Sequence, residues 1–148
     1  SLLRAPKSPD PLCDMGRHRF SYVLLPHFDQ IIHSDVIAAA YAHNAPMRSA
    51  LLKPSPGQPG GLPEFLSLDS RNLIVESVKK AEDSNRIIVR LYECHNTRGI
   101  GSLTSAHKIK RAWICNLEET PEQELDVADN EVEIRYRPFE IITLMLDV

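Results

Sequence analysis

Apolar and polar positions alternate with a period of two through much of the second half of the chain. Along Arg86–Glu93, Ile87, Val89 and Leu91 point one way and Ile88, Arg90 and Tyr92 the other, which is the signature of a strand. Leu73, Ile74, Val75 and Val78 precede it. Glu82, Asp83, Ser84 and Asn85 lie between, and short polar side chains of this kind stabilise turns, so Leu73–Glu93 predicts a hairpin. A hairpin cannot bury its apolar face alone, and later strands must cover it. Phe65–Leu68, Ser102–Ser105, Ile109–Asn116 and the alternation of Val132, Ile134 and Tyr136 supply candidates. In Glu140–Asp147 both sides are apolar, Ile142, Leu144 and Leu146 against Ile141, Thr143 and Met145, which predicts a central strand. Gly99 and Gly101 read as a break, and acidic Asn116–Asn130 as a loop. Roughly six or seven short strands at regular spacing predict a mainly β fold, an antiparallel β-sandwich.

The first half follows a different pattern. Ser1–Pro11 holds Pro6, Pro9 and Pro11, a density that excludes helix and central strand; it reads as the end of a strand entering a loop. Cys13–His18 continues that loop, with Gly16 at a positive φ. Arg19–Leu25 alternates, Phe20, Tyr22 and Leu24 against Arg19, Ser21 and Val23, and predicts a strand ended by Pro26. Ser34–Asn44 predicts the one short helix: Ser34 as N-cap, Asp35 at the positive end of the dipole, and Val36, Ile37, Ala40 and Tyr41 at helical spacing. Lys53–Pro63 has four prolines and three glycines in eleven residues, the composition of a linker. The boundaries are therefore 1–52, a linker over 53–63, and a terminal β-sandwich over 64–148.

Composition narrows the function classes. The net charge of -3 gives no reason to expect a nucleic-acid partner. No apolar run approaches the roughly 18 residues of a membrane helix, so no membrane partner is expected. Cys13, Cys94 and Cys115 are an odd count without metal-type spacing and read as reduced thiols. With no Asn-x-Ser/Thr acceptor, this leans towards a reducing compartment. Arg4, Asp10, Asp14, His18 and His27 form the dense polar constellation of the chain. Its spacing matches no zinc motif, and the residues favour a structural loop, with Asp14 bonding backbone N–H groups and His18 satisfied by a neighbouring strand. His33, His43 and His107 read as surface positions. Cys94-His95 is half of a nucleophile–base pair, with no orienting third residue. Lys108, Lys110 and Arg111 read as a solvated edge, and Glu118, Glu119, Glu122 and Glu124 as a solvated loop.

Several stretches together resemble the C-terminal part of family 38 glycoside hydrolases, the α-mannosidases, on the branch with the cytosolic and vacuolar enzymes. They are Ser1–His27 (SLLRAPKSPDPLCDMGRHRFSYVLLPH), Val36–Pro46, Phe65–Asp83, Ile87–Glu93 and Arg137–Leu146. The resemblance implies a retaining, metal-dependent glycosidase acting on terminal α-mannose. Its zinc or cobalt ion, nucleophile and general acid would lie in an N-terminal catalytic domain absent from these 148 residues. It implies that 1–52 is the tail of a larger β-sandwich domain and 64–148 the terminal sandwich, bracing the catalytic domain of the same protein. It implies that Arg4 and Asp10, with His18 as second choice, rim the sugar site. The expected partner is a mannose-containing oligosaccharide and the expected location cytoplasmic, with vacuole or lysosome as the alternative. An independent carbohydrate-binding module and a structural module that forms homo-oligomers are the competing readings. The first would need an aromatic platform, which four Phe, four Tyr and one Trp, mostly required for cores, do not visibly supply.

Overall fold

The computed structural model describes residues 3–51 and 64–148. The Pro/Gly linker expected over 53–63 lies outside the described residues. Nine strands run through the second stretch. β1 (Leu66–Leu68), β4 (Gly99–Ser105), β8 (Glu131–Tyr136) and β7 (Val127–Ala128) form one sheet in the order β1-β4-β8-β7. β2 (Leu73–Lys80), β3 (Ile87–Glu93), β9 (Ile141–Asp147), β5 (Arg111–Cys115) and β6 (Pro121–Leu125) form the other, in the order β2-β3-β9-β5-β6. The seven strand pairs described are all antiparallel.

The two sheets enclose a single shared core. Leu103, Val132 and Ile134 from the first sheet meet Val89, Leu91, Leu144 and Leu146 from the second, and all seven are fully buried. Each such side chain contributes about 1.5–3 kcal/mol relative to exposure, before entropy is counted. The alternation of Ile87–Tyr92 translates directly: Val89 and Leu91 face this core, while Ile88 joins Ala81, Trp113, Cys115 and Met145 in a smaller cluster on the outer face. β9 is central, as its two apolar sides required. It pairs with β3 through Ile87↔Leu146 to Tyr92↔Ile141, and with β5 through Arg111↔Asp147 to Cys115↔Thr143.

Two expectations for the sandwich need correction. Gly99 and Gly101 do not break the chain; they lie inside β4. A Cβ at Gly99 would sit 2.6 Å from Tyr136 Oη, and one at Gly101 2.9 Å from Ser70 Cβ. The glycines are there for close approach, which a single sequence displays as a turn signal. The acidic Asn116–Asn130 run is not a loop throughout, because β6 and β7 form within it. β6 is an edge strand, where charged side chains are tolerated on both faces. The β7–β8 connection is a two-residue turn, Asp129 (φ 49°) and Asn130 (φ 65°), the geometry that hairpin twist prefers.

Residues 3–51 contain helix α1 (Val36–Asn44) after a single 3-10 turn at Ile31–His33. The N-cap position is Asp35 and not Ser34, and it makes no side-chain cap bond. The Ser34 hydroxyl instead donates to Ile31 O at 2.9 Å. The expected strand over Arg19–Leu25 pairs with no strand among the described residues. Its alternation is genuine, but β structure needs a neighbour, and Tyr22, Val23 and Leu24 stand 64–87% exposed.

Candidate functional site

The N-terminal polar loop is built by short-range bonds. Asp10 Oδ1 accepts from Leu12 N at 2.9 Å, and Cys13 N donates to Asp10 O. Asp14 adopts φ 59° and Gly16 φ 134°, as expected for Gly16. His18 Nε2 donates to Asp14 O at 2.7 Å, and its ring stacks on Phe20 with centroids 6.1 Å apart. The local wiring therefore differs from expectation. Asp10, not Asp14, captures a backbone N–H, and His18 is satisfied within its own loop. Arg4, Asp10 and His18 are all exposed, and among the described residues no hydrogen bond or ion pair joins any two of them. His27 Nδ1 lies 2.6 Å from Asp29 O, and His43 Nε2 lies 3.0 Å from Ser21 Oγ. His33, His43 and His107 are exposed, as expected.

Helix α1 meets the sandwich at one polar junction. Tyr41 Oη donates to Glu76 Oε2 at 2.7 Å and lies 2.7 Å from Tyr92 Oη. The Tyr92 bond, then the Glu76 bond, push the Tyr41 phenol well above its ordinary range. Arg71 Nη2 donates to Ser34 O at 3.0 Å and pairs with Asp35 at 3.5 Å. Beneath this junction lies a cavity of about 400 Å³, to which Arg71, Cys94 and His95 contribute.

The most constrained ionisable group of the sandwich is Glu93, at the end of β3 and fully buried. Burial alone would raise its pKa. The carboxylate collects backbone N–H donors from Phe139, Thr97 and His95 and the Thr97 hydroxyl, all at 2.8–2.9 Å, and the net effect is a pKa held below the usual range. Glu93 thus pins Asn96 (φ 58°) and Phe139 (φ 56°) in their left-handed turns. The Cys94–His95 pair does not make a nucleophile. Burial, and then the Glu93 charge, push the Cys94 thiol up, and the thiolate is the reactive form. His95 Nδ1 lies 3.0 Å from Asn72 Oδ1, which ties the ring down instead of freeing it as a base.

Trp113 offers no open platform. It is 7% exposed, with Arg86 and Arg111 guanidinium carbons 4.4 and 4.6 Å from its ring centroid. Lys110 and Arg111 stay solvent-exposed, as expected, and each is ion-paired: Lys110 with Asp147 at 3.7 Å, and Arg111 with Glu124 through two bonds of 2.8 and 2.9 Å. Glu119, from the run read as solvated, takes Lys79 at 2.7 Å and Glu82 N at 3.0 Å. Among the described residues no group of three or more His, Cys, Asp or Glu side chains is placed to hold a metal ion.

Comparison with known proteins decides the kinship. The family profile described as "Glycosyl hydrolases family 38 C-terminal beta sandwich domain" matches residues 72–144, from the start of β2 into β9. Over residues 72–144 the sandwich is thus similar to the C-terminal domain of family 38 glycosyl hydrolases. The chain is similar to "Alpha-mannosidase 2C1" of Homo sapiens, 38% identical over 99% of its length. It is also similar to "Alpha-mannosidase G" of Dictyostelium discoideum, 34% over 97%, and to "Alpha-mannosidase" of Saccharomyces cerevisiae, 30% over 99%. The chain spans only 14–15% of the length of these relatives. The family 38 match covers the sandwich from β2 into β9, whereas the similarity to the relatives runs on through the N-terminal polar loop and α1. Sequence reasoning missed the Glu93 knot. Its only signal was a charged residue ending an otherwise apolar strand.

Proposed function

We propose that this chain is the accessory C-terminal part of a retaining α-mannosidase that removes terminal α-mannose from oligosaccharides by a two-step displacement. One observation carries the reading: 97–99% of the chain aligns with proteins named alpha-mannosidases, of which it forms about a seventh. In this reading the metal ion, zinc or cobalt, and the reacting carboxylates belong to an upstream catalytic domain. No step of the reaction runs through this chain. Residues 1–52 are the tail of a larger sandwich domain, 53–63 the linker and 64–148 the terminal sandwich. The unpaired alternation of Arg19–Leu25 supports this division. A chain exposing Phe20, Tyr22, Leu24 and Phe28 at 53–112% carries an apolar surface that calls for a covering partner, and an upstream sheet edge supplies it. Arg4 and Asp10, and after them His18, would then rim the sugar cleft. The three free thiols agree with a cytoplasmic enzyme.

The test is an aryl α-mannoside assay. The complete protein should hydrolyse it in a metal-dependent way, and the 148-residue chain alone should give no turnover. Metal-dependent turnover by the isolated chain would overturn the division of labour. Tyr22→Asp with Leu24→Asp should lower the thermal stability of the complete enzyme by several degrees, while leaving residues 64–148 folded.

A further inference from the structure

The first sheet stops short on one side. β7 covers β8 only at Val127↔Val132 and Ala128↔Glu131. The Asp129–Asn130 turn closes that hairpin on the Ala128–Glu131 pair, and backbone groups alternate sides along a strand. The N–H and C=O of Glu133 and Arg135 therefore face away from β4, past the end of β7. Among the described residues they meet no strand there. A cleft of about 990 Å³ opens beside this edge, between the two sheets. Ile114, Leu125 and Tyr136 line its inner side. Arg98, Arg137 and Asp126 line its mouth, and among the described residues their side chains have no hydrogen-bond or ion-pair partner.

We propose that the free β8 edge receives an extended peptide strand as a further member of the first sheet, supplied by the polypeptide of the complete protein outside these 148 residues. This rests on the chain being a small part of a longer enzyme. Strand addition uses main-chain hydrogen bonds for affinity and alternate side chains for specificity. The occupant must therefore be two-faced. Side chains directed inward meet Ile114, Leu125 and Tyr136 and must be apolar. Those directed outward run beside Glu133 and Arg135, paired with each other at 3.3 Å, and beside the unpaired Arg137, which favours an acidic side chain. β6, the nearby edge of the other sheet, is closed to the same use by Pro121 and its charges, a common protection of edges. The cleft lining carries three arginines against four carboxylates, which leaves no net attraction for a simple anion.

The test reads hydrogen exchange at single amides in the complete protein. Glu133 and Arg135 should exchange at least about tenfold slower than edge amides of β6, since closing a backbone bond of about 1.4 kcal/mol slows exchange by that factor. Arg135→Pro deletes one edge N–H and should lower the melting temperature of the complete protein. Arg137→Glu should accelerate exchange at both amides by opposing the acidic face. Exchange at β6 rates, with a melting temperature unmoved by Arg135→Pro, would overturn the proposal. So would cleft amides that shift on titration with α-mannotriose, which would make the cleft a glycan site. Hydrolysis assayed on the same samples separates the two ideas. Activity with an unprotected edge sinks only this inference, and protection without activity sinks only the proposed function.

Discussion

At the scale of single residues, Glu93 holds the most at stake. Its two oxygens accept four donors, so a neutral isostere cannot fit. In Glu93→Gln the amide NH2 must face either Phe139 N–H or the three donors from His95 and Thr97. The expected loss is about 2–3 kcal/mol, read by urea unfolding. The pH dependence follows from the sign of the shift. Glu93 has a folded-state pKa below its unfolded value. Its contribution is present above the ordinary carboxylate range, about 4.3, and is lost as pH falls through the depressed folded value. The wild-type melting temperature should therefore drop more steeply below about pH 4 than that of Glu93→Gln; parallel curves would remove Glu93 from this role. Gly99→Ala is a second residue-scale test. Tyr136 Oη, held by Ser70 and Asn72 at 3.3 and 3.1 Å, cannot retreat without releasing those bonds. A loss of about 1–3 kcal/mol is expected.

Among elements, α1 depends on few contacts. None of its residues is buried, and an isolated helix of nine residues is marginal in water. Tyr41→Phe removes both bonds of the junction, to Glu76 and Tyr92. It should speed amide exchange across Val36–Asn44 while the melting temperature of the sandwich stays within a degree or two. Unchanged exchange would mean that Arg71 and the apolar contacts suffice. The strands were legible where burial has a simple period: Val132, Ile134 and Tyr136 are buried and Glu131, Glu133 and Arg135 exposed, as their alternation required. Legibility failed where the reason for a residue lies across space. Gly101 answers to Ser70, Glu119 to Lys79, and Glu93 to a turn forty-six residues away at Phe139. Arg19–Leu25 failed in the opposite sense, because its pattern is a strand's but the pairing edge is missing from the described residues. The polar loop was legible as a loop, and its internal bonding was not.

For the whole molecule, the cohesive part is the sandwich over 64–148, and the preceding stretch adds surface more than core. Removing residues 1–51 should leave a cooperative unfolding transition in calorimetry; its loss would mean that the two stretches form one folding unit. The architecture also fixes an order of events. β9 lies between β3 and β5, so the β2–β3 and β5–β6 pairs become one sheet only through the last of the described strands. A ribosome releases residues in sequence, at roughly 5–20 per second. The two hairpins therefore wait, side by side and unjoined, until Ile141–Asp147 has left the exit tunnel. A premature stop codon ahead of Ile141 would delete the keystone and leave the nascent product for chaperones and proteases.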